Sequence, residues 1–343
     1  MLKGKSHKEL LRLCQSLVQP LLPSFYKGQA GKVCVIGGCQ DYTGAPYFAA
    51  HASATVGSDL THVICETRAA SVIKSYSPDL MVHPYLYDQN SANLTKKKPN
   101  NSQTQLSNLL SNSNFDEFID THVMPQIVSL LNRIDIVVIG PGFGRDELML
   151  ASLVRIVQEV KVLNKPLIID ADGLYLVSMY PELIQNYSKT ILTPNVNEFN
   201  RLKQSLKLES NGDAVSDTVM VAKNLGCTVI QKGKSDIISN GHDALVNESA
   251  GSLRRVGGQG DTLVGVMSTF VNWSNNYIKR VWDHPDEINQ QDANLLAVYS
   301  ASVLVRAASN KAFKKYGRSM QTSNVHELLH DAYYELFETD SRL

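Results

Sequence analysis

The stretch Arg255–Gly265, RVGGQGDTLVG, sets three glycines around one aspartate just ahead of an apolar run. Leu263, Val264, Met267, Phe270 and Val271 recur at helical spacing, which predicts a helix beginning near Asp261. Gly257, Gly258 and Gly260 can turn their N–H groups toward one point, and a helix N-terminus adds partial positive charge there. Such a turn holds an anion, for example a phosphate. Asp261 then has two readings: a helix N-cap, or a proton acceptor kept ionised by the helix dipole. The residues of this turn alone leave both open.

Four more turns carry glycine or acid clusters at predicted strand ends: GGCQDYTGAP (37–46), GPGFGRD (140–146), DADG (170–173) and TPNVNEF (193–199). Any one of them can be no more than a tight strand-to-helix turn. Five together point to a shared cleft, because ligands of open parallel sheets bind beyond the carboxyl ends of the strands. Glu198, read by itself, is a solvated acid on the first turn of a helix. Two tempting motifs fail. GQAGKV (28–33) has the wrong glycine spacing for a Walker A loop and puts Val33 where a Ser or Thr is needed. Gly140, Gly142 and Gly144 lack the dinucleotide fingerprint spacing, so a hydride-transfer Rossmann enzyme is poorly supported.

The elements that must position these turns alternate along the chain. Apolar runs at 32–38, 61–66, 79–84, 134–142, 166–172, 189–194 and 227–233 read as strands. Helical patterns lie at 45–57, 67–75, 146–162, 173–179, 195–206 and 214–226, with long helices at 261–276, 292–309 and 323–337. Strands apolar throughout and separated by helices imply a parallel sheet covered on both faces, within one α/β domain spanning 1–343. Residues 88–114 are dominated by Asn, Ser, Gln and Lys and read as a mobile polar surface insertion. The polar segment 274–292, with Trp273 and Trp282 nearby, reads as an excursion between helices. No apolar run approaches the roughly 20 residues a membrane span needs.

Bulk properties narrow the function classes. Of 343 residues, 43% are hydrophobic and 19% charged, and Lys+Arg equals Asp+Glu at 33 each. That balance gives no electrostatic reason to expect nucleic acid or an anionic membrane as partner. The five scattered cysteines match no zinc spacing, and Cys34 and Cys65 sit inside apolar runs, which fits a reducing compartment. The N-terminus lacks a signal-peptide core and reads as a basic amphipathic helix, so a cytoplasmic location is expected, with a mitochondrial pool as the alternative.

Taken in combination, GGQGDTL, TPNVNEFNRL and QKGKSD resemble the ribokinase-like superfamily, in which a glycine-rich anion hole ends in an Asp base and an N-x-x-E motif organises magnesium. More narrowly, GGCQDYTGAPYFAA, VVIGPGFGRD, IIDADGLYLV, ILTPNVNEFNRL, QKGKSD and RRVGGQGDTLVG resemble the ATP-dependent (S)-NAD(P)H-hydrate dehydratase family, in order and over nearly the whole chain. Gln259 points to its eukaryotic branch. The resemblance implies a ribokinase-like α/β fold with a central, mostly parallel sheet and helices on both faces. It implies ATP and Mg²⁺ as cofactors, and NADHX and NADPHX (the hydrated forms of NADH and NADPH) as substrates. By the same resemblance, Gly144, Asn195, Val196, Asn197, Glu198, Phe199, Asn200, Arg201 and Asp261 contact the hydrated nucleotide, with Tyr42, Thr43 and Gly44 approaching it. Lys232, Gly233, Lys234, Ser235 and Asp236 line the ATP site with Gly251, Ser252, Leu253, Arg254, Arg255, Val256, Gly257, Gly258, Gln259 and Gly260. Asp261 is then the general base, and Asn195 and Glu198 position Mg²⁺ through water. A homo-oligomer is compatible with all of this. Two rivals share these motifs: a small-molecule kinase acting on a vitamin-precursor alcohol, and a non-catalytic nucleotide-binding protein.

Overall fold

In the computed structural model, residues 2–94, 113–284 and 288–338 are described. All seven predicted strands form: β1 (Lys32–Ile36), β2 (Leu60–Glu66), β3 (Met81–Leu86), β4 (Ile136–Ile139), β5 (Leu167–Ile169), β6 (Thr190–Leu192) and β7 (Thr228–Gln231). They pair in parallel. Their side chains alternate between two cores, which is why the runs are largely apolar: Val33 and Val35 face one, Cys34 and Ile36 the other. Two strands outside the predicted set, β8 (Asp236–Ser239) and β9 (Ala244–Asn247), extend the sheet in antiparallel fashion. The nine strands run in the order β3-β2-β1-β4-β5-β6-β7-β8-β9.

That order reverses at β1, which lies between β2 and β4. The crevice beyond the carboxyl ends of β1 and β4 is therefore the topological switch point. The turns that follow these two strands are GGCQDYTGAP and GPGFGRD.

One face of the sheet is covered by the helices Gly44–Val56, Gln259–Ile278 and Gln290–Tyr316, and the other by Glu147–Val162, Ala171–Met179 and Val196–Ser205 among others. Gly265 lets Gln259–Ile278 approach Gly44–Val56 closely, since a Cβ there would lie 2.0 Å from the Ala49 carbonyl oxygen. This contact sets where the glycine-rich end of the long helix falls. The predicted helix at 323–337 is split in two, Thr322–Glu327 and Leu329–Phe337, and the polar excursion begins later, after Ile278. A helical stretch at 113–131, containing a short π-turn at Ile119–Val123, was not predicted. Of the polar insertion, 88–94 form turns and 113–114 open a helix, while 95–112 lie outside the described residues. Among the described residues, no helix is long and apolar enough to cross a membrane.

Candidate active site

The five strand-end turns meet, the first three of them by close main-chain approach. A Cβ on Gly37 would lie 2.1 Å from the Pro141 carbonyl oxygen, and one on Gly140 would lie 1.9 Å from that of Asp170. Gly142, at φ 60°, backs onto the Tyr42 carbonyl, and Gly144 donates its N–H to Asp172 at 2.9 Å. Asp172 also pairs with Arg145 at 3.0 Å, and that guanidinium lies 4.1 Å from the Tyr175 ring centre. Arg201 approaches the same ring from the neighbouring turn, at 5.8 Å.

Asp170 is the junction. Its buried carboxylate accepts from Thr193 Oγ1 and from Lys232 Nζ, each at 2.8 Å. Lys232 reaches it because its backbone bridges Asn195 and its N–H bonds Pro194 O at 2.8 Å. Gly260 completes the contact: a Cβ there would stand 3.3 Å from Lys232 Nζ and 3.5 Å from Asp170 Oδ2. Ala171, directly after Asp170, holds a positive φ of 48°, a strained conformation for a residue with a side chain.

Asp261 occupies the first turn of Gln259–Ile278, whose N-cap is Gly258 in a left-handed conformation, and no side chain caps that helix. The N-cap reading of Asp261 is thereby corrected, because the aspartate sits three residues too late for that role. The expected effect of the dipole is corrected too. Burial, reinforced by the charge of Asp170, pushes the Asp261 carboxyl up to about 7, while Lys232 pulls it back and Glu198 adds to the rise. Removal from water and two like charges outweigh a partial charge at a helix end. The same pair of acids acts on Lys232: burial draws its ammonium down, but Asp170 and Glu198 more than offset that and raise it.

Among the described residues, the backbone N–H groups of Gly258, Gln259 and Gly260 donate to no protein atom; the first intrahelical bond is Thr262 N–H to Gly258 O at 2.8 Å. Unpaired donors clustered at a helix start, beside a lysine and a titratable acid, form an anion-binding point.

The N-x-x-E pair has a structural occupation of its own. Asn195 Oδ1 accepts from the N–H groups of Asn197 (2.9 Å) and Glu198 (3.0 Å), while Glu198 Oε2 accepts from Asn195 N–H at 2.8 Å. This is a reciprocal capping box. Glu198 is half-buried, not a fully solvated acid, and burial together with Asp170 raises its carboxyl, against a lowering by Lys232.

Other residues expected at the site divide by environment. Asn195, Val196, Asn197, Asn200 and Arg201 are exposed, but Phe199 is 2% exposed and packs into the core. Its side chain is the apolar anchor of its helix. Asp236 is likewise committed inward: it accepts from Gly233 N–H, Ser302 Oγ and Arg306 Nη1, and so closes the loop that carries Lys234 and Ser235. Along the other ATP segment Leu253 is 85% exposed, Ser252 is buried, and Arg254 is tied to Met320 O at 3.0 Å. Arg255 and Gly257 are exposed; Gly251, Val256 and Gln259 are half-buried. Asp170, Asp172, Thr193 and Thr262 were not singled out as site residues. The acid-rich DADG turn was the signal for the first two.

No group of three or more His, Cys, Asp or Glu side chains placed to hold a metal occurs among the described residues. All five cysteines are free, and all but Cys39 are buried.

Comparison with known proteins agrees in extent and in kind. A family model described as NAD(P)H-hydrate dehydratase matches residues 33–330. An ATP-dependent (S)-NAD(P)H-hydrate dehydratase of Candida albicans is 54% identical, covering 98% of this chain and 97% of its own. The protein of that name from Saccharomyces cerevisiae is 42% identical, over 98% of this chain and 100% of its own. Among solved structures, a ribokinase-like superfamily protein of Enterococcus faecalis superposes with a TM-score of 0.70 at 20% identity, over 96% and 95% of the two chains. The Bacillus subtilis ADP/ATP-dependent NAD(P)H-hydrate dehydratase, co-crystallised with ATP/Mg²⁺, gives 0.62 at 16% identity, over 95% and 97%. At those identities the two structures speak for the fold alone.

Proposed function

The chain belongs to the NAD(P)H-hydrate dehydratase family, and from that membership we propose that it dehydrates the S epimer of hydrated NADH and NADPH at the expense of ATP, with Asp261 as the base. The observation that carries the residue assignment is the junction of Asp261, Lys232 and Asp170 beside three unpaired backbone donors.

Hydroxide is a poor leaving group, so the ring hydroxyl is first made into a phosphate. Asp261 accepts the hydroxyl proton as that oxygen attacks the γ-phosphorus; the new O–P bond forms and the bond to ADP breaks. The N–H groups of Gly258, Gln259 and Gly260 take up the charge on the transferring group, and Lys232 adds a fixed positive charge nearby. The ring nitrogen then pushes out phosphate, and loss of a proton from the adjacent ring carbon restores the reduced nicotinamide. A carboxyl that titrates near neutrality suits the first step, since it is largely free to accept a proton at physiological pH and basic enough to hold it.

Magnesium would be held through the ATP phosphates, with Glu198 and Asn195 as the residues that would position it through water. The chemistry it would supply there is neutralisation of phosphate charge. The exposed Tyr42 and the stacked Arg145, Tyr175 and Arg201 make a rim suited to an aromatic, phosphate-bearing substrate. A single catalytic domain acting in the cytoplasm completes the reading.

The test is direct. Purified protein with ATP, Mg²⁺ and the S hydrate regains the reduced-nicotinamide absorbance and releases one free phosphate per turnover. A stable phosphomonoester in place of free phosphate would establish the kinase reading instead.

A further inference from the structure

Behind the anion-binding turn lies a chain of side chains that the catalytic scheme does not use. Thr262 Oγ1 is 2.8 Å from Gly258 O and 2.8 Å from His326 Nε2, and His326 Nδ1 is 2.9 Å from His51 Nδ1. Thr262 is fully buried and His326 is 8% exposed. Beside them, Thr322 Oγ1 donates to Gly257 O.

The direction of every hydrogen bond in this chain follows from its last member. A carbonyl oxygen only accepts, so the single hydroxyl hydrogen of Thr262 goes to Gly258 O. Its oxygen must then accept from His326, which places that histidine's proton on Nε2 and leaves Nδ1 as acceptor. His51 must in turn carry its proton on Nδ1. His326 is neutral, since a second proton on it would set its Nδ1–H face to face with that of His51. Burial lowers both imidazoles, that of His326 to about 3 with His51 adding to the effect, which agrees with the geometric assignment.

What the chain holds is a peptide plane. In a trans peptide the C=O of one residue and the N–H of the next point in opposite directions. Tying Gly257 O and Gly258 O backward therefore aims the Gly258 and Gln259 N–H groups forward, and these are two of the unpaired donors. We infer that His51, His326 and Thr262 form a one-way hydrogen-bond relay that positions the Gly258–Gln259 peptide for phosphoryl transfer, with His326 as its positioning residue. The inference rests on the dehydratase reading above. The relay also joins the two sides of the cleft, because His51 lies on the helix Gly44–Val56, which opens at the GGCQDYTGAP turn.

Thr262→Val keeps the shape and removes both bonds. His326→Leu removes the donor, and His326→Gln restores an amide N–H at the Nε2 position. Turnover of the S hydrate is expected to fall roughly tenfold in Thr262→Val and His326→Leu, the scale of a misaimed donor rather than a deleted one. The Michaelis constant for the hydrate should hold steady. The double variant should be no slower than either single one, since both break one chain, and His326→Gln should recover most of the rate. Long-range proton–nitrogen spectra of the wild type should show neutral Nε2–H at His326 and Nδ1–H at His51. The relay is overturned if His326→Leu lowers only the melting temperature, if the two substitutions multiply, if either ring carries the other tautomer, or if His326 is charged at neutral pH. An inactive wild type would instead sink the dehydratase reading, so the two failures are distinguishable.

Discussion

Replacing Asp261 by Asn isolates the acid–base role from everything else the cleft does. The side chain keeps its size and loses its proton-accepting oxygen and its charge. Positioned proton transfer contributes roughly a hundred- to ten-thousandfold, so turnover of the S hydrate should fall by at least about two orders of magnitude while ATP still binds. Stability should move the other way. Folding holds this carboxyl at about 7, against about 3.9 for an aspartate in water. The folded state thus binds the proton more tightly, and the ionised carboxylate costs stability that disappears as pH falls below both values. At about 1.4 kcal/mol per pH unit the full cost at alkaline pH is about 4 kcal/mol, and partial solvent access trims it to about 2. Asp261→Asn should therefore be the more stable protein at pH 8, with the advantage gone near pH 4. In the wild type, turnover should rise with pH through about 7, with roughly a tenth of the plateau one unit below and nine-tenths one unit above. The assay is recovery of reduced-nicotinamide absorbance, paired with thermal melts across the same pH range. Unchanged turnover in the Asn variant, or a wild-type profile flat between pH 6 and 8, would remove Asp261 from the mechanism.

Two further substitutions test the surroundings. Lys232→Met leaves the Asp170 carboxylate, 4% exposed, without its cation; this should cost about 3 kcal/mol in denaturant titrations. It should also shift the rising limb of the pH profile upward, because Lys232 is what draws Asp261 down. Glu198→Gln retains an acceptor for Asn195 N–H, so unfolding free energy should change by less than about 1 kcal/mol. A Mg²⁺ titration of that variant should need roughly tenfold more ion for half-maximal turnover; an unchanged requirement would confine Glu198 to its capping role.

The central parallel strands were legible because burial on both faces leaves them almost wholly apolar. β8 and β9 escaped because Asp236 and Asn247 at their ends look like loop; Asn240–Gly241 between them was the overlooked hairpin signal. The stretch 113–131 carries Phe115, Ile119, Val123 and Ile127 four apart, a helical pattern hidden by the polar insertion before it and by Pro125 within it. At the site, motif spacing located the turns but not their interior partners. Lys232 was expected from QKGKSD, yet nothing in the spacing reveals that it pairs with Asp170, 62 positions earlier. Titration near neutrality is a property of that packing, and the isolated turn pointed the opposite way. Phe199 illustrates the converse limit: a motif names a continuous run, while a helix turns every third or fourth side chain inward.

The floor of the cleft, where Gly37 and Gly140 abut the carbonyls of Pro141 and Asp170, has a consequence for how this protein can change. No side chain fits at either glycine without one turn displacing the next, so the floor drifts as a whole or not at all. New substrate preferences must then arise at the rim, where Tyr42, Val196 and Leu253 stand at least half exposed and free to vary. Chemistry is inherited through the backbone, and selectivity is left to side chains that touch little else.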